Sequence, residues 1–323
     1  MVKFLKKCRL CGEGPLNEYD IIDKINIIYK CNNCGFVQLL TNDANKLNDN
    51  ANEESVNQDK YRKTSEKDME LNKDTDFPST MKNLAHVIKQ DTKRIRGIIE
   101  KLVKPNEKVK FIDIGSGYGH IGFDIGNNNP NIDVHLLETS KDRMNMGIST
   151  FKPDINKFNF HHELLDQKFS KKYPNYFNIS FSFHVLEHVY DTVDFIKNMY
   201  NITKNGGYII IEVPNNDDDL QELPNNYKKI IRFPAHVNYW TKDTLSTLLK
   251  KSNIYDKVDT EFIGVQRYGF FNYIDWVRNN KKQKVLSDDY IPRKNPTWIE
   301  KIWLNTKQKN LTTDSIMIII KKH

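Results

Sequence analysis

Residues 111–120, which read FIDIGSGYGH, constrain the fold more than any other part of the chain. Strand-favouring residues run into an acid, Asp113, and glycines then stand at every second position: Gly115, Gly117 and Gly119. A backbone without side chains can approach a bound group closely. The exposed N–H groups of a helix that begins there would face the same group. The stretch therefore predicts a ligand-binding loop after a buried strand.

Strands and helices alternate around this loop. Strands are predicted at 109–114, 132–138, 158–162, 178–183, 207–213, 261–271 and 315–322. Helices are predicted at 79–103, 118–127, after Lys141, at 191–203 with Asp191 as cap and NGG as stop, and at 242–252 with Thr241 as cap. This alternation predicts an α/β fold, a parallel sheet with helices on both faces. Ligands of such sheets bind at the carboxyl ends of the strands, where strand order reverses.

Four cysteines, the only ones in the chain, form two C-x2-C pairs: Cys8 with Cys11, and Cys31 with Cys34. A glycine follows each pair and permits the tight turn that aims backbone N–H groups at thiolates. The spacing is typical of a structural, four-thiolate Zn²⁺ site. Such an ion would fold a module, residues 1–40, that is too small to depend on its own core.

Composition divides the rest of the chain. Residues 41–78 are nearly all polar and are interpreted as a linker or partial lid. Residues 79–323 are interpreted as the main domain.

The net charge of +7 is unevenly distributed. Residues 267–323 hold 12 basic and 5 acidic residues, whereas residues 1–78 hold 12 basic and 14 acidic residues. A protein that binds nucleic acid through its zinc module would concentrate basic residues on that module. Nucleic acid is therefore not the expected partner.

No apolar run suggests a membrane span or a secretory leader, and we expect a cytoplasmic protein.

The glycine spacing distinguishes two cofactors. Dinucleotides favour G-x-G-x-x-G, but His120 stands at the third glycine position. The observed D-x-G-x-G-x-G suits S-adenosylmethionine. Glu138, at the end of the next predicted strand, can accept hydrogen bonds from both ribose hydroxyls.

Residues 183–215, FHVLEHVYDTVDFIKNMYNITKNGGYIIIEVPN, carry a family resemblance. The chain resembles Rossmann-like, class I S-adenosylmethionine-dependent methyltransferases, in particular the ubiquinone-biosynthesis-like branch. The preceding zinc module is similar to that of nucleotide-sugar C-methyltransferases. The resemblance implies a seven-stranded sheet preceded by a zinc-ribbon-like module. It also departs from the second group, because the roughly 60 residues after Phe262 cannot form that group's large extra domain.

The resemblance also implies residue roles. Asp113 and the three glycines would hold the methionine end of the cofactor, Glu138 the ribose and Glu163 the adenine amine, with His184 beneath the cofactor. Methyl transfer to a hydroxyl also needs proton removal, for which histidine is suited near neutral pH. His236, in FPAHVNYWT, and His188 are the candidate bases. A structural role for each histidine remains open.

The leading hypothesis is transfer of a methyl group from S-adenosylmethionine to a hydroxyl of a small molecule, a nucleotide-linked sugar or related phosphorylated precursor of capsular polysaccharide. Sugar C-methylation is an alternative. An RNA methyltransferase that grips RNA through its zinc module is another. A non-catalytic, zinc-scaffolded interaction protein is the last. Amide and adenine N-methylation is disfavoured, because FHVL replaces the Asp/Asn-Pro-Pro-aromatic tetrapeptide of those enzymes.

Overall fold

The computed structural model describes residues 7–22, 26–41, 85–104, 106–222, 225–232, 235–283 and 290–323. The polar linker predicted at 41–78 lies outside these residues except for Thr41, and so does the start of the first predicted helix at 79–84.

A seven-stranded sheet forms the centre of the molecule. Its strands are β4 Val109–Ile114, β5 Ile132–Leu137, β6 Phe158–His161, β7 Phe177–Phe183, β8 Thr203–Pro214, β10 Val258–Val265 and β11 Ser315–Lys322. They lie in the order β10-β11-β8-β7-β4-β5-β6. The pairs among β8, β7, β4, β5 and β6 are parallel, and β11 runs antiparallel to both of its neighbours. The predicted α/β sheet is confirmed, with one antiparallel strand.

Apolar side chains cover both faces of this sheet. Alternate residues of a strand point to opposite faces, and in β4 Phe111 belongs to one buried cluster while Ile112 and Ile114 belong to the other. Helices supply the outer layers. Their bounds are α1 Ala85–Leu102, α2 His120–Asn128, α3 Lys141–Phe151, α4 Gln167–Lys172, α5 Thr192–Ile202, α6 Asn225–Ile231, α7 Lys242–Lys251, α8 Phe270–Asn279 and α9 Trp298–Asn310.

The cysteine-bearing segment forms a second sheet that includes a strand from the main domain. Strands β1 Leu16–Ile21, β2 Asn26–Cys31 and β3 Val37–Thr41 pair antiparallel, and β3 continues onto β9 Asn238–Tyr239. The Phe36 ring packs 4.8 Å from Trp240, which is fully buried. One hydrophobic cluster contains both residues together with three of the cysteines. The small module is therefore continuous with the main domain through residues 237–240.

Some of the predicted caps and helix ends are confirmed and others are wrong. The side chains of Asp191 and Thr241 cap α5 and α7 as predicted. The NGG stop is wrong, because α5 ends at Ile202 and Asn205, Gly206 and Gly207 lie within β8. Residues 270–271, predicted as strand, begin α8. Among the described residues, no helix has both the length and the apolarity needed to cross a membrane.

Candidate active site

The glycine loop lies where the strand order of the large sheet reverses. Strand β4 pairs with β5 on one side and β7 on the other, and the chain leaves β4 directly into the loop. The backbone φ angles of Gly115, Gly117 and Gly119 are 68°, 57° and 74°. This left-handed region favours glycine. The loop and its place at the carboxyl ends of the strands are therefore as predicted.

The three glycines serve different purposes. A Cβ added to Gly115 would lie 2.5 Å from Cγ2 of Val185, and one added to Gly119 would lie 2.7 Å from the Phe123 ring. A Cβ added to Gly117 would meet nothing within 4 Å. Hence, of the three loop glycines, only Gly117 has open space where a side chain would stand, whereas at the other two the absent side chain also lets Val185 and Phe123 pack against the loop. The prediction that all three glycines hold the methionine end of the cofactor stays a prediction.

Glu138 follows β5 and holds the loop. Its Oε2 accepts a hydrogen bond from the Gly117 backbone N–H at 2.9 Å, and its Oε1 accepts one from the Ser140 N–H at 2.9 Å. Oε1 also accepts a hydrogen bond from the Thr139 hydroxyl at 3.3 Å, whereas Oε2 keeps a second lone pair. The side chain is thus fixed next to Gly117, and its Oε2 retains acceptor capacity for a hydroxyl group.

Asp113 lies at the end of β4, 2% exposed, and its Oδ2 has no hydrogen-bond partner among the described residues. Burial raises the pKa of Asp113 to about 7; a hydrogen bond from the Gly122 backbone opposes this shift and nearby Glu138 adds to it. A cationic ligand group would stabilise the charged form of this buried carboxylate. The Asp113 carboxylate, the open space at Gly117 and the fixed carboxylate of Glu138 together fit the ammonium, sulfonium and ribose of S-adenosylmethionine.

The turn after β7 packs directly on this loop. It begins with His184 in a left-handed conformation, φ 53°, which directs the next residue, Val185, against Gly115. His184 Nε2 lies 3.1 Å from Arg267 Nη1, and its Nδ1 lies 3.2 Å from Glu187 Oε1. A guanidinium can only donate, so Nε2 accepts and Nδ1 carries the proton. Burial and then Arg267 lower the pKa of His184 well below its ordinary value.

A buried ion-pair network that the sequence analysis missed supports His184. Arg267 pairs with Asp91 at 2.7 Å, and Arg94 bridges Asp91 at 3.1 Å and Glu212 at 2.8 Å. Glu212 is 0% exposed in the centre of the sheet. The one sequence signal for this network is Glu212, a charged residue within the apolar run IIIEV. The other members of the network come from α1 and from the segment after β10, and no local sequence pattern connects these segments with Glu212.

His188 and His236, the candidate bases, lie side by side with ring centroids 4.9 Å apart. His188 Nδ1 is 2.8 Å from the Ala235 carbonyl oxygen, and His236 Nδ1 is 2.8 Å from the Ile231 carbonyl oxygen. Burial lowers the pKa of His188 to about 4 and that of His236 to about 3. Both rings are therefore neutral near pH 7. Glu187 lies beside them, and burial raises its pKa to about 8.

Glu163, the candidate adenine contact, lies beyond the end of β6. Its carboxylate pairs with Lys172 Nζ at 3.1 Å and is one-third exposed. Among the described residues, no hydrogen bond or ion pair joins it to the glycine loop. His161, at the end of β6, stacks on His135, with His135 Nδ1 and His161 Nε2 2.8 Å apart.

The four cysteine sulfurs converge. Sγ of Cys8 is 3.6 Å from that of Cys34, Sγ of Cys11 is 3.7 Å from that of Cys31, and all four lie within 4.8 Å of one another. No disulfide joins them. A tetrahedral ion with bonds of about 2.3 Å to sulfur separates its ligands by roughly 3.8 Å. Gly12 and Gly35 turn the knuckles at φ 77° and 73°. The set fits a structural Zn²⁺.

Comparison with known proteins decides the family. A family model described as a methyltransferase domain, Methyltransf_23, matches residues 87–256, more than half of the chain. The chain belongs to this methyltransferase family. The methyltransferase is thus a class I, S-adenosylmethionine-dependent enzyme. No protein with a curated function matches its sequence.

Two solved methyltransferase structures are similar to this chain along most of their own length. A SAM-dependent methyltransferase from Archaeoglobus fulgidus is 17% identical, with 73% of this chain and 94% of that one covered and a TM-score of 0.46. The methyltransferase domain of bacterial CtHen1-C is 13% identical, with 73% and 98% covered and a TM-score of 0.47.

Proposed function

We propose that this methyltransferase transfers the methyl group of S-adenosylmethionine to a hydroxyl of a small molecule, a nucleotide-linked sugar or a related precursor of cell-surface polysaccharide. One observation carries the choice of a hydroxyl. Two neutral imidazoles, His188 and His236, and the buried Glu187 gather next to the turn that packs on the glycine loop. Polar groups with lone pairs at that position suit an acceptor that must lose a proton.

The cofactor supplies an activated methyl group, and the chain supplies position. Gly117 leaves its backbone bare. Glu138, which also holds the Gly117 N–H, would accept hydrogen bonds from the ribose hydroxyls, and Asp113, whose buried Oδ2 has no partner among the described residues, would hold the cationic end. His184 would lie beneath the cofactor, held by Arg267 and Glu187. Glu163 stays the candidate for the adenine amine. Alignment of donor and acceptor contributes several kcal/mol to such displacements, up to about 7–11 in favourable cases.

His236 is the proposed base or acceptor contact, with His188 as its neighbour. The carbonyl oxygens of Ile231 and Ala235 hold one nitrogen of each ring as N–H, so the other nitrogen carries the lone pair. Removal of a general base typically costs 10²- to 10⁴-fold in rate. A purely structural role predicts that turnover per folded molecule is unchanged in His236→Asn.

We further propose that Cys8, Cys11, Cys31 and Cys34 bind a structural Zn²⁺, for which the sulfur separations are the support. The nucleotide-sugar assignment depends on the resemblance of this module to that of sugar methyltransferases. The acidic balance of residues 1–78 opposes the RNA alternative, and we expect the protein to act in the cytoplasm.

The experiment that tests the proposal is a methyl-transfer screen against nucleotide-activated sugars and phosphorylated sugars. A mass increase of one methylene, mapped to oxygen or carbon by NMR, identifies the acceptor atom. Methylation at carbon would favour the C-methyltransferase alternative, and methylation of RNA alone would overturn the proposal. If calorimetry detects no binding of S-adenosylmethionine, the non-catalytic alternative gains support.

A further inference from the structure

Helix α3 contacts the glycine loop through a glycine of its own. Gly147 is buried within α3, and a Cβ added to it would lie 1.9 Å from the Tyr118 carbonyl oxygen and 2.6 Å from the carbonyl carbon. Cβ atoms in folded proteins essentially never approach another heavy atom within 3.0 Å. Because the opposing atoms belong to the backbone, no change of rotamer makes room. Only glycine fits between this helix and the loop.

The last turn of α3 packs on the same end of the loop. The Phe151 ring lies with its centroid 6.2 Å from that of His120 and 6.4 Å from that of Phe123. Phe123 is the side chain that an added Cβ on Gly119 would meet. The helix therefore supports the second half of the loop at two places, the backbone of residue 118 and the side chains that follow it.

The first turn of α3 is connected to the carboxylate of Glu138. Glu138 Oε1 accepts a hydrogen bond from the Ser140 N–H at 2.9 Å, and the Ser140 side chain caps the helix by accepting from the Arg143 N–H. Glu138 Oε2 accepts from the Gly117 N–H at 2.9 Å. The carboxylate thus joins the start of the helix to the loop. It keeps both hydrogen bonds only while helix and loop remain at their present separation.

We propose that Gly147 is a positioning residue for the cofactor, because it sets the separation between the glycine loop and the Glu138 carboxylate. The inference deepens the proposed function and rests on its assignment of the methionine end of S-adenosylmethionine to the loop and the ribose to Glu138. A ligand that spans both elements binds tightly only when the two are correctly spaced. Gly147 acts through Tyr118 and α3 rather than as a contact of the cofactor.

The size of the effect follows from the distances. An alanine at position 147 requires its Cβ to move from 1.9 Å to at least 3.0 Å from the Tyr118 carbonyl oxygen, so helix and loop must separate by about 1 Å. Functional groups must be held within about 0.5 Å of their productive positions, and a displacement of about 1 Å can cost about 10²-fold in rate. The hydrogen bond between Gly117 and Glu138 would also lengthen.

Calorimetry with two ligands of the full chain tests the role of Gly147. S-adenosylhomocysteine spans the loop and Glu138, whereas adenosine has no amino-acid end and needs only the ribose contact. Gly147→Ala should weaken S-adenosylhomocysteine binding at least tenfold and adenosine binding less than about threefold. Amide exchange at Gly117, followed by NMR, should become faster. Both measurements are made at a temperature at which circular dichroism shows the variant to be folded.

Gly207→Ala is the matched control. A Cβ added to Gly207 would lie 2.7 Å from the Asn178 carbonyl oxygen, which is again a clash with backbone. This contact joins the amino ends of β7 and β8, whereas the glycine loop lies at the carboxyl ends of the strands. Gly207→Ala should lower the thermal stability but leave S-adenosylhomocysteine affinity and amide exchange at Gly117 unchanged.

Phe151→Ala tests the same support without inserting an atom. Phe151 is 36% exposed, so its truncation is compatible with folding. Loss of its contacts with His120 and Phe123 should loosen α3 against the loop and weaken S-adenosylhomocysteine binding about threefold or more. This variant decides the question if Gly147→Ala does not fold.

The outcomes separate this inference from the proposed function. Unchanged S-adenosylhomocysteine affinity in folded Gly147→Ala, an equal loss for adenosine, or an equal loss in Gly207→Ala overturns the positioning role. If Gly147→Ala does not fold, unchanged affinity in Phe151→Ala overturns it. Absence of S-adenosylhomocysteine binding to the unsubstituted chain would overturn the proposed function, and this inference with it. Failure to methylate any hydroxyl, with the affinity pattern as expected, would contradict the proposed acceptor alone.

Discussion

Arg267 Nη1 lies 3.1 Å from His184 Nε2 and connects the segment after β10 to the turn that follows β7. The same guanidinium pairs with Asp91 on α1. Three segments far apart in sequence thus determine the tautomer of one histidine next to the cofactor loop. The geometry of the candidate site therefore depends on an ion-pair network outside it.

Replacing Arg267 with Met should destabilise the fold. Asp91, whose side chain is 4% exposed, would keep only Arg94 as an ion-pair partner among the described residues. Removing one partner of a buried pair typically costs about 3–5 kcal/mol, which urea unfolding would measure. Arg96→Met is the matched control, because Arg96 pairs with the more exposed Asp124 and should cost about 0–1 kcal/mol. Equal losses in both variants would contradict the role of the network.

The network also predicts an acid dependence. Burial alone would raise the pKa of Asp91, but Arg267 and then Arg94 lower it below its ordinary 3.8. The stabilisation is therefore present above about pH 4 and is lost as the pH falls through the lowered pKa. Arg267→Met should lessen this acid-induced loss of stability. If the free energy of unfolding of Arg267→Met depends on pH as that of the unsubstituted chain does, the ion pair with Asp91 is not the source of the acid dependence.

Alanine at two loop glycines should separate folding from binding. Gly117→Ala faces open space and should weaken S-adenosylmethionine binding, with a stability cost of about 1–2 kcal/mol from its positive φ. Gly115→Ala adds a clash with Val185 and should destabilise more. Gly97→Ala, in α1 with nothing within 4 Å, is the control and should not destabilise. Calorimetry and thermal unfolding give the two readouts; unaltered affinity in Gly117→Ala would contradict the assignment of the loop.

Cofactor affinity should depend on pH through Asp113. Its pKa of about 7 means that the carboxylate is mostly protonated at pH 6 and mostly charged at pH 8. Because the charged form attracts a cationic ligand group, binding should be about tenfold weaker at pH 6 than at pH 8. Asp113→Asn should remove this difference. The same ratio in that variant would assign the pH dependence to another group.

Removal of zinc should disturb the candidate base. Strand β3 pairs with β9, and the Arg9 side chain donates to the Val237 carbonyl oxygen, next to His236. In Cys11→Ser, zinc content should fall and amide exchange at 236–240 should rise. Asn32→Ser, at an exposed residue between Cys31 and Cys34, is the control. Loss of zinc without faster exchange would show that the module does not support this segment.

The sequence predicted those features that local rules determine. Alternating apolar strands, the glycine loop and the caps Asp191 and Thr241 depend on near neighbours, and all are present. The function of each glycine was not predictable, because Val185 and Phe123 reach the loop only through the tertiary fold. Helix α9 is likewise not predicted by the sequence. Because Trp298 and Ile302 are exposed, its apolar residues do not form the periodic buried face by which a helix is predicted.

The central claim is that the donor lies against the loop at Gly117 with its ribose on Glu138. A crystal structure of the chain with S-adenosylhomocysteine tests it most directly. We predict ribose hydroxyls within hydrogen-bond distance of the Glu138 carboxylate and the amino-acid end next to Asp113. Ligand density at another place, or a loop closed by protein atoms over Gly117, would contradict the account.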